Sequence, residues 1–130
     1  MNKTLQVIII ISVIIVLILG ISLISKNILT NTSEELVNYI ERVEQNVKSA
    51  NWDQANQELS EIEKNWTKTK RIWAMLIDHI EIDNIDSSMA RMGMLLETRE
   101  KSLALSEASV LRLFIKHIPE KVSFKLENIF

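Results

Sequence analysis

The chain has no cysteine, one proline and two glycines, and only 5% of its residues are aromatic. The absence of cysteine excludes disulfides, thiolate catalysis and cysteine-ligated metals. Glycine and proline are the main residues that interrupt regular structure, so their scarcity favours a few long helices over a sheet with many turns. Phosphate-binding glycine loops and recognisable nucleophile motifs are also absent. The composition therefore predicts a helical protein, and we expect no enzyme.

The numbers of basic and acidic side chains are nearly equal. The 130 residues carry 15 basic and 17 acidic side chains, which gives a formal net charge of −2. Beyond Lys26 the balance is −4, because two of the basic residues are Lys3 and Lys26. So mild a charge does not predict nucleic acid as a partner. The ~100 residues after Lys26 are enough for one domain that folds without disulfides or a structural metal.

The longest feature of the sequence is an uncharged, mostly apolar run from Leu5 to Ile24. At about 1.5 Å of rise per residue, a helix of this length spans about 30 Å, the thickness of the hydrocarbon core of a bilayer. The run is longer than the core of a signal peptide, and no A-x-A-like cleavage site follows it. We therefore expect a lipid bilayer as a partner and an uncleaved, single-pass anchor in the cell membrane.

The anchor divides the chain into four expected parts, in order a cytoplasmic tail, the transmembrane helix, a juxtamembrane link and an extracytoplasmic helical bundle: residues 1–4, 5–25, 26–32 and 33–130. The orientation follows from the positive-inside rule, which counts basic residues close to the span and largely disregards long translocated domains. With one lysine on either side of the run, the rule favours a cytoplasmic N-terminus by a narrow margin.

The first helix after the link is predicted over residues 33–49, where apolar residues recur at steps of three and four. Thr32 and Glu35 have the spacing of a capping box, in which each side chain accepts a hydrogen bond from an orphan backbone N–H at the helix start. A short turn around Ser49 and Asn51 follows, with Asn51 as the next N-cap. So short a connection predicts an antiparallel hairpin.

The second helix begins a series of large apolar residues at a seven-residue spacing: Trp52, Leu59, Trp66, Trp73 and Ile80. We expect the tryptophans to form a ladder of buried rings. The apolar register then slips by two residues, which indicates either a helix break or a long helix that changes its packing partner. Of these two interpretations, one long helix over about 70–99 with a bend near 83–87 is the prediction.

The last long helix is predicted over about 102–118, with Leu103 and Ile115 among its inward residues. Pro119 should end it, because proline lacks the backbone N–H and clashes with the preceding turn. A short final helix follows, and the terminal pair Ile129 and Phe130 is expected to dock into a groove. The predicted fold class is all-α, an N-terminal transmembrane helix followed by an antiparallel helical bundle.

One group of residues has the chemistry of metal ligands. His79, Asp83 and Asp86 follow one another at steps of four and three, which places an imidazole and two carboxylates along one helix face. Carboxylates at a helix bend are more often solvated or cap a turn, and no established metal motif is present. We therefore expect no metal, no cofactor and no catalytic residue.

A second group has the chemistry of a surface that binds a partner or a ligand: Trp52, Trp66, Trp73, Lys68, Lys70 and Arg71. Basic residues among aromatics can meet lipid headgroups or an anionic polymer. The simpler interpretation is a core role for the tryptophans and a solvated basic face. Four acidic residues follow within the next fifteen positions, so the positive field largely cancels within a Debye length.

The order of these motifs resembles a known family. The likeness rests on Trp52-x-x-Ala55-x3-Leu59-x-x-Ile62-x3-Trp66, on Trp73, on Asp78-His79-x-Glu81-Ile82-x-x-Ile85, and on the terminal Asn128-Ile129-Phe130. These residues are similar to domain of unknown function family 4363, small single-span proteins of Gram-positive bacteria. The resemblance covers the chain with its anchor. It implies an accessory role beside a multi-span membrane protein, and it implies no catalytic residue.

Two functions follow as expectations. The first is a membrane-anchored interaction module that binds or stabilises another integral membrane protein, since a tail of residues 1–4 is too short to hold an output domain. The alternative is an extracytoplasmic module that binds a small apolar or cationic ligand between helices lined by tryptophans and methionines. A homo-oligomer that forms through one helix face is a third interpretation.

Overall fold

The computed structural model describes residues 2–129, apart from the side chains at positions 124–126 and 129. This described part consists of four helices and contains no strand. Their bounds, in chain order, are α1 Lys3–Lys48, α2 Trp52–Leu76, α3 His79–Glu97 and α4 Lys101–Ile129. The predicted all-α fold with a long apolar first helix and a helical bundle is confirmed.

The helices form an up-down-up-down bundle. α1 packs on α2 and α4, and α3 completes the square by packing on the same two helices. Short connections place consecutive helices antiparallel, as the hairpin prediction expects. The core is built from aliphatic side chains, two tryptophans and a few alanines. Within the described part, every buried side-chain nitrogen or oxygen has a hydrogen-bond partner.

α1 is one unbroken helix of 46 residues, about 69 Å long at 1.5 Å per residue. The predicted link over 26–32 is therefore wrong, and so is the predicted helix start at Thr32. The Thr32 hydroxyl instead donates to the backbone carbonyl of Ile28 within the helix, at 2.7 Å. The link has neither glycine nor proline, and a break there would leave two sets of backbone groups unpaired.

The first part of α1 is apolar on every side. Its large side chains from Leu5 to Ile24 are exposed. In its most apolar stretch of 18 residues, no residue is buried. By length and composition, this segment could cross a membrane. Burial within the bundle begins at Leu29, which is fully covered.

The turns that follow α1 and α3 have the same type of C-terminal cap. Ala50 and Arg99 have positive φ angles of 57° and 56°. After α1, the Asn51 N–H donates to the Asn46 carbonyl at 2.8 Å, and the Ala50 N–H donates to the Val47 carbonyl at 3.0 Å. An equivalent pair of bonds closes the turn after α3. This is the Schellman arrangement, in which a left-handed residue lets the last carbonyls find donors.

α2 and α3 are separate helices, so the predicted single helix over 70–99 is wrong. The backbone of Ile77 is extended, with φ −131° and ψ 165°, and Asp78 is the N-cap position of α3. The other interpretation of the register slip, a helix break, is correct, but the break precedes the expected bend at 83–87. Because the chain reverses here, Ile80 leaves the tryptophan phase and is exposed.

α4 continues through Pro119 to Ile129, which contradicts the predicted stop and the separate final helix. Pro119 has no N–H to donate to the carbonyl of Ile115, four residues earlier. The buried Ser33 hydroxyl of α1 donates to that carbonyl at 3.1 Å, so a neighbouring helix supplies the missing hydrogen bond. The predicted docking of Ile129 and Phe130 falls outside the described part of the chain.

The inward face of α4 begins with small residues. Ala104 and Ala108 are fully buried and precede the buried Leu111 and Ile115. Leu103, predicted to point inward, is 56% exposed. The prediction preferred the larger side chain, whereas the helices approach closely enough here that alanine fills the space between them.

Candidate functional site

Trp66 and Trp73 are the two largest buried side chains of α2. Their ring centroids are 5.4 Å apart and their planes meet at 88°. Such an edge-to-face pair adds about 0.5–1.5 kcal/mol to the free energy gained by burial alone. Trp52, the first residue of α2, is only partly buried and packs at the edge of the core. Two of the three tryptophans are therefore buried next to each other, as the predicted ladder of buried rings expects.

The two indole N–H groups bind different neighbouring helices. The Trp73 Nε1 donates to the Thr32 Oγ1 of α1 at 2.8 Å. The Trp66 Nε1 donates to the Asp86 Oδ1 of α3 at 2.7 Å. Each bond pairs a polar atom that would otherwise be costly to bury. Together they fix the position of α2 along the axes of both neighbours.

Asp86, one of the candidate metal ligands, is engaged by α2. Its second carboxylate oxygen pairs with the Lys70 ammonium, so both oxygens already have donors. His79 and Asp83 are exposed at the start of α3. Within the described residues, no group of three His, Cys, Asp or Glu side chains lies close enough together to hold a metal ion. The helical spacing placed these residues on one helix but did not bring them together as a set.

The residues of the predicted binding surface lie in different environments. Lys68 and Arg71 are exposed on α2, whereas Lys70 is half-buried in its pair with Asp86. Trp66 and Trp73 belong to the core, and Trp52 lies at the opposite end of α2. The six residues therefore do not form one continuous surface. Ligand binding between the tryptophans stays a prediction.

Glu107 is the centre of a polar cluster that the sequence does not reveal. It accepts hydrogen bonds from the Ser88 hydroxyl at 2.6 Å and from the Arg91 Nε at 3.1 Å, both on α3. Burial raises the pKa of Glu107, but these two hydrogen bonds and the positive charge of Arg91 outweigh it. The pKa of Glu107 is thereby held below its ordinary value of 4.5. The carboxylate is a fixed anion between α3 and α4.

Each of the four interfaces between neighbouring helices contains an ion pair. In the order α1–α2, α2–α3, α3–α4 and α4–α1, these are Arg42–Glu58, Lys70–Asp86, Arg91–Glu107 and Arg112–Glu44. Glu44 is buried, so its pairing with Arg112 is the most strongly required of the four. The polar side chains between the helices thus bind one another and specify which helices are neighbours.

Large apolar side chains are also exposed beyond the first part of α1. Three lie around the α2–α3 break, and three more lie at separate positions on α3 and α4: Ile72, Met75 and Ile80, then Met94, Leu103 and Leu113. Isolated apolar residues are common on protein surfaces. The position of these side chains on the bundle is therefore a better guide to a contact surface than their number.

A family described as Domain of unknown function (DUF4363) matches residues 23–129 of the chain. The match begins at the last two residues of the apolar run and continues through α4, so it covers the bundle and little of the preceding segment. The comparisons with curated proteins and with solved structures gave no match.

Proposed function

The chain belongs to the DUF4363 family, and we propose that it is a membrane-anchored helical module that binds and stabilises another integral membrane protein, without catalysis of its own. The observation that carries this proposal is the course of α1. This single helix contains both the exposed apolar segment and one wall of the bundle core. The same 46 residues would therefore anchor the bundle and build it.

In this proposal the apolar part of α1, from Leu5 to Ile24, crosses the cell membrane. Its exposed side chains would face lipid, and its length of about 30 Å fits the hydrocarbon core. Lys3 and Lys26 flank the segment, where their long side chains can reach the headgroups. The N-terminus is cytoplasmic and the bundle is extracytoplasmic, which is the orientation that the positive-inside rule favours.

The bundle begins almost immediately after the span. Leu29 is fully buried, and it follows Lys26 by only about 4.5 Å of helical rise. A flexible linker would let a domain search a large volume, whereas a continuous helix holds the bundle in one orientation beside the membrane. This rigid attachment suits a partner in the same membrane, because a preorganised surface loses less entropy when it binds.

The bundle offers its outer surface for this contact. Its polar interior groups are paired with one another, and its tryptophans are packed. On α4, which packs directly on α1, the side chains of Leu103 and Leu113 are more than half exposed. An apolar side chain that fits a pocket of the partner is a typical energetic centre of an interface. These positions are therefore the first ones to probe.

Photo-crosslinking in intact membranes tests the proposal. A photoreactive amino acid replaces Leu113 in one variant of the full chain, and in the matched variant it replaces Lys68, which is exposed on α2. We expect position 113 to capture one multi-span membrane protein, and position 68 to capture much less of it. If both positions capture only second copies of the chain, or nothing, the proposal is wrong.

A further inference from the structure

Three large apolar side chains are exposed where α2 turns into α3, a region we call the α2–α3 corner: Ile72, Met75 and Ile80. Met75 is 77% exposed and Ile80 is 72% exposed. The backbone of the corner is nevertheless firmly held, because Leu76 and Ile77 pack against the core. A packed corner that displays side chains of this size is a candidate contact surface.

Trp73 sets the height of the corner along α1. Its indole N–H donates to Thr32 at 2.8 Å, so the two residues are nearly level. From there α2 descends about 6 Å to Ile77, and α1 descends about 9 Å to Lys26, at 1.5 Å per residue. The corner therefore lies close to the height of Lys26, next to the end of the apolar run.

That height is the interfacial layer of the membrane in the proposed function, on which this inference rests. The layer between the hydrocarbon core and bulk water is about 5–8 Å thick on each side of a bilayer. α2 packs directly on α1, and packed helix axes lie about 8–10 Å apart. The corner therefore lies over the lipids that surround the span.

We propose that the α2–α3 corner inserts Met75 and Ile80 into the interfacial layer of the membrane that α1 crosses. The bilayer is the occupant because the exposed apolar side chains of the corner lie at the height where the apolar run of α1 ends. The contact is apolar rather than electrostatic, since Asp83 offsets the charge of Arg71 and Glu81 pairs with Lys121 of α4. A second membrane contact fixes the rotation of the bundle about α1.

The absence of cysteine permits a direct test on the full chain. In phosphatidylcholine vesicles, Met75→Cys and Ile80→Cys variants carry an environment-sensitive fluorophore, and nitroxide-labelled lipids act as quenchers. Met94→Cys is the matched control, because Met94 is also on α3 and is similarly exposed, at 60%. It lies about 21 Å farther along that helix from the membrane than Ile80. A fourth variant, Ser12→Cys, reports on the anchor itself and is read with nitroxides on the lipid acyl chains, because Ser12 lies about 21 Å from Lys26 along α1.

We expect the fluorophores at positions 75 and 80 to lose most of their emission to nitroxides near the headgroups, and the fluorophore at position 94 to lose little. If position 12 is quenched but positions 75 and 80 are quenched no more than position 94, the corner lies in water. That result overturns this inference and leaves the anchor in place. If position 12 is not quenched either, the proposed anchor is wrong and the inference fails with it.

Discussion

At the residue scale, a serine on α1 completes the backbone of α4. Ser33 donates to the carbonyl of Ile115 at 3.1 Å in a buried position, and this is the carbonyl that Pro119 leaves without a backbone donor. Proline inside a helix costs about 3 kcal/mol or more, partly through that lost bond. A buried carbonyl without a partner costs about 1–3 kcal/mol. Ser33 therefore offsets a large share of the cost of Pro119.

Ser33→Ala should lower the free energy of unfolding by about 1–3 kcal/mol, because the carbonyl of Ile115 loses its donor. In a Pro119→Ala background the new backbone N–H can bind that carbonyl, and the same change should cost less than about 1 kcal/mol. Urea unfolding of the full chain in detergent, followed by tryptophan fluorescence, measures all four proteins. An equal cost in both backgrounds would show that the serine does not act through Pro119.

The carboxylate of Glu107 gives the bundle a dependence on pH. Its pKa is lower in the folded chain than its ordinary value of 4.5, so the folded state binds the proton less tightly than the unfolded state. The stabilisation is complete above pH 4.5 and is lost as the pH falls through the lower, folded pKa. Glu107→Gln removes this charge and should lack this loss.

Unfolding free energies of the original chain and of Glu107→Gln, measured from neutral to acidic pH, check this prediction. The original chain should be the more stable one at neutral pH, because Arg91 keeps its ionic partner. The difference between the two should shrink as the solution becomes more acidic than pH 4.5. A difference that stays constant over the whole range would mean that Glu107 does not carry this dependence.

At the element scale, the two turns at the end of the bundle far from the apolar segment hold non-glycine residues in left-handed backbone. Ala50 and Arg99 occupy the position after the helix C-cap at φ 57° and 56°, where glycine is the usual residue. A side chain in this conformation costs about 1–2 kcal/mol. Both turns are therefore strained at one residue, although their hydrogen bonds follow the standard motif.

Ala50→Gly should raise the free energy of unfolding by about 0.5–1 kcal/mol, because glycine relieves this strain and offsets only part of the gain with its freer unfolded chain. Ala90→Gly is the matched control, since Ala90 is exposed in the middle of α3. There the same change should cost about 0.5–1 kcal/mol. Thermal unfolding of both variants measures these two changes in stability. If both variants are destabilised by the same amount, Ala50 is not strained in the way proposed.

The faces of the helices could be predicted from the sequence, but their ends could not. Burial of one face repeats with the helical period, and so the apolar face of the helix predicted over 33–49 is buried from Leu36 to Val47. A helix end depends on contacts with other helices. Pro119 does not stop α4 because Ser33 compensates for the lost hydrogen bond. The local sequence could not reveal this, since that serine is 82 residues away from Ile115 in the chain.

The same limit applies to the candidate site. The seven-residue spacing identified Trp66 and Trp73 as neighbours on one face, which is correct. It could not show that Asp86, 20 residues beyond Trp66, accepts the indole hydrogen bond and so ties α3 to α2. Ile80 left the series because the chain reversed at Ile77. Spacing gives the face of a helix, and packing decides what that face meets.

At the scale of the whole molecule, α1 joins two environments. Its first half is exposed and apolar, and its second half is one wall of a bundle whose four interfaces each contain an ion pair. Because one continuous helix forms both halves, any tilt of the apolar half is passed on to the bundle. In the proposed function this continuity holds the surface of α4 against a partner in the same membrane.

The measurement that tests this account most directly compares two double variants at the junction, Lys26→Gly with Asn27→Gly and Lys26→Ala with Asn27→Ala. Both residues are exposed, and both variants lose the same charge. Only the glycine pair favours a hinge, since each glycine weakens a helix by about 1 kcal/mol relative to alanine. The readout is the yield of crosslinks from position 113 to the multi-span partner in intact membranes. We predict that the alanine pair keeps this yield and that the glycine pair loses most of it. Equal yields from the two variants, or no partner captured by either, would contradict the account.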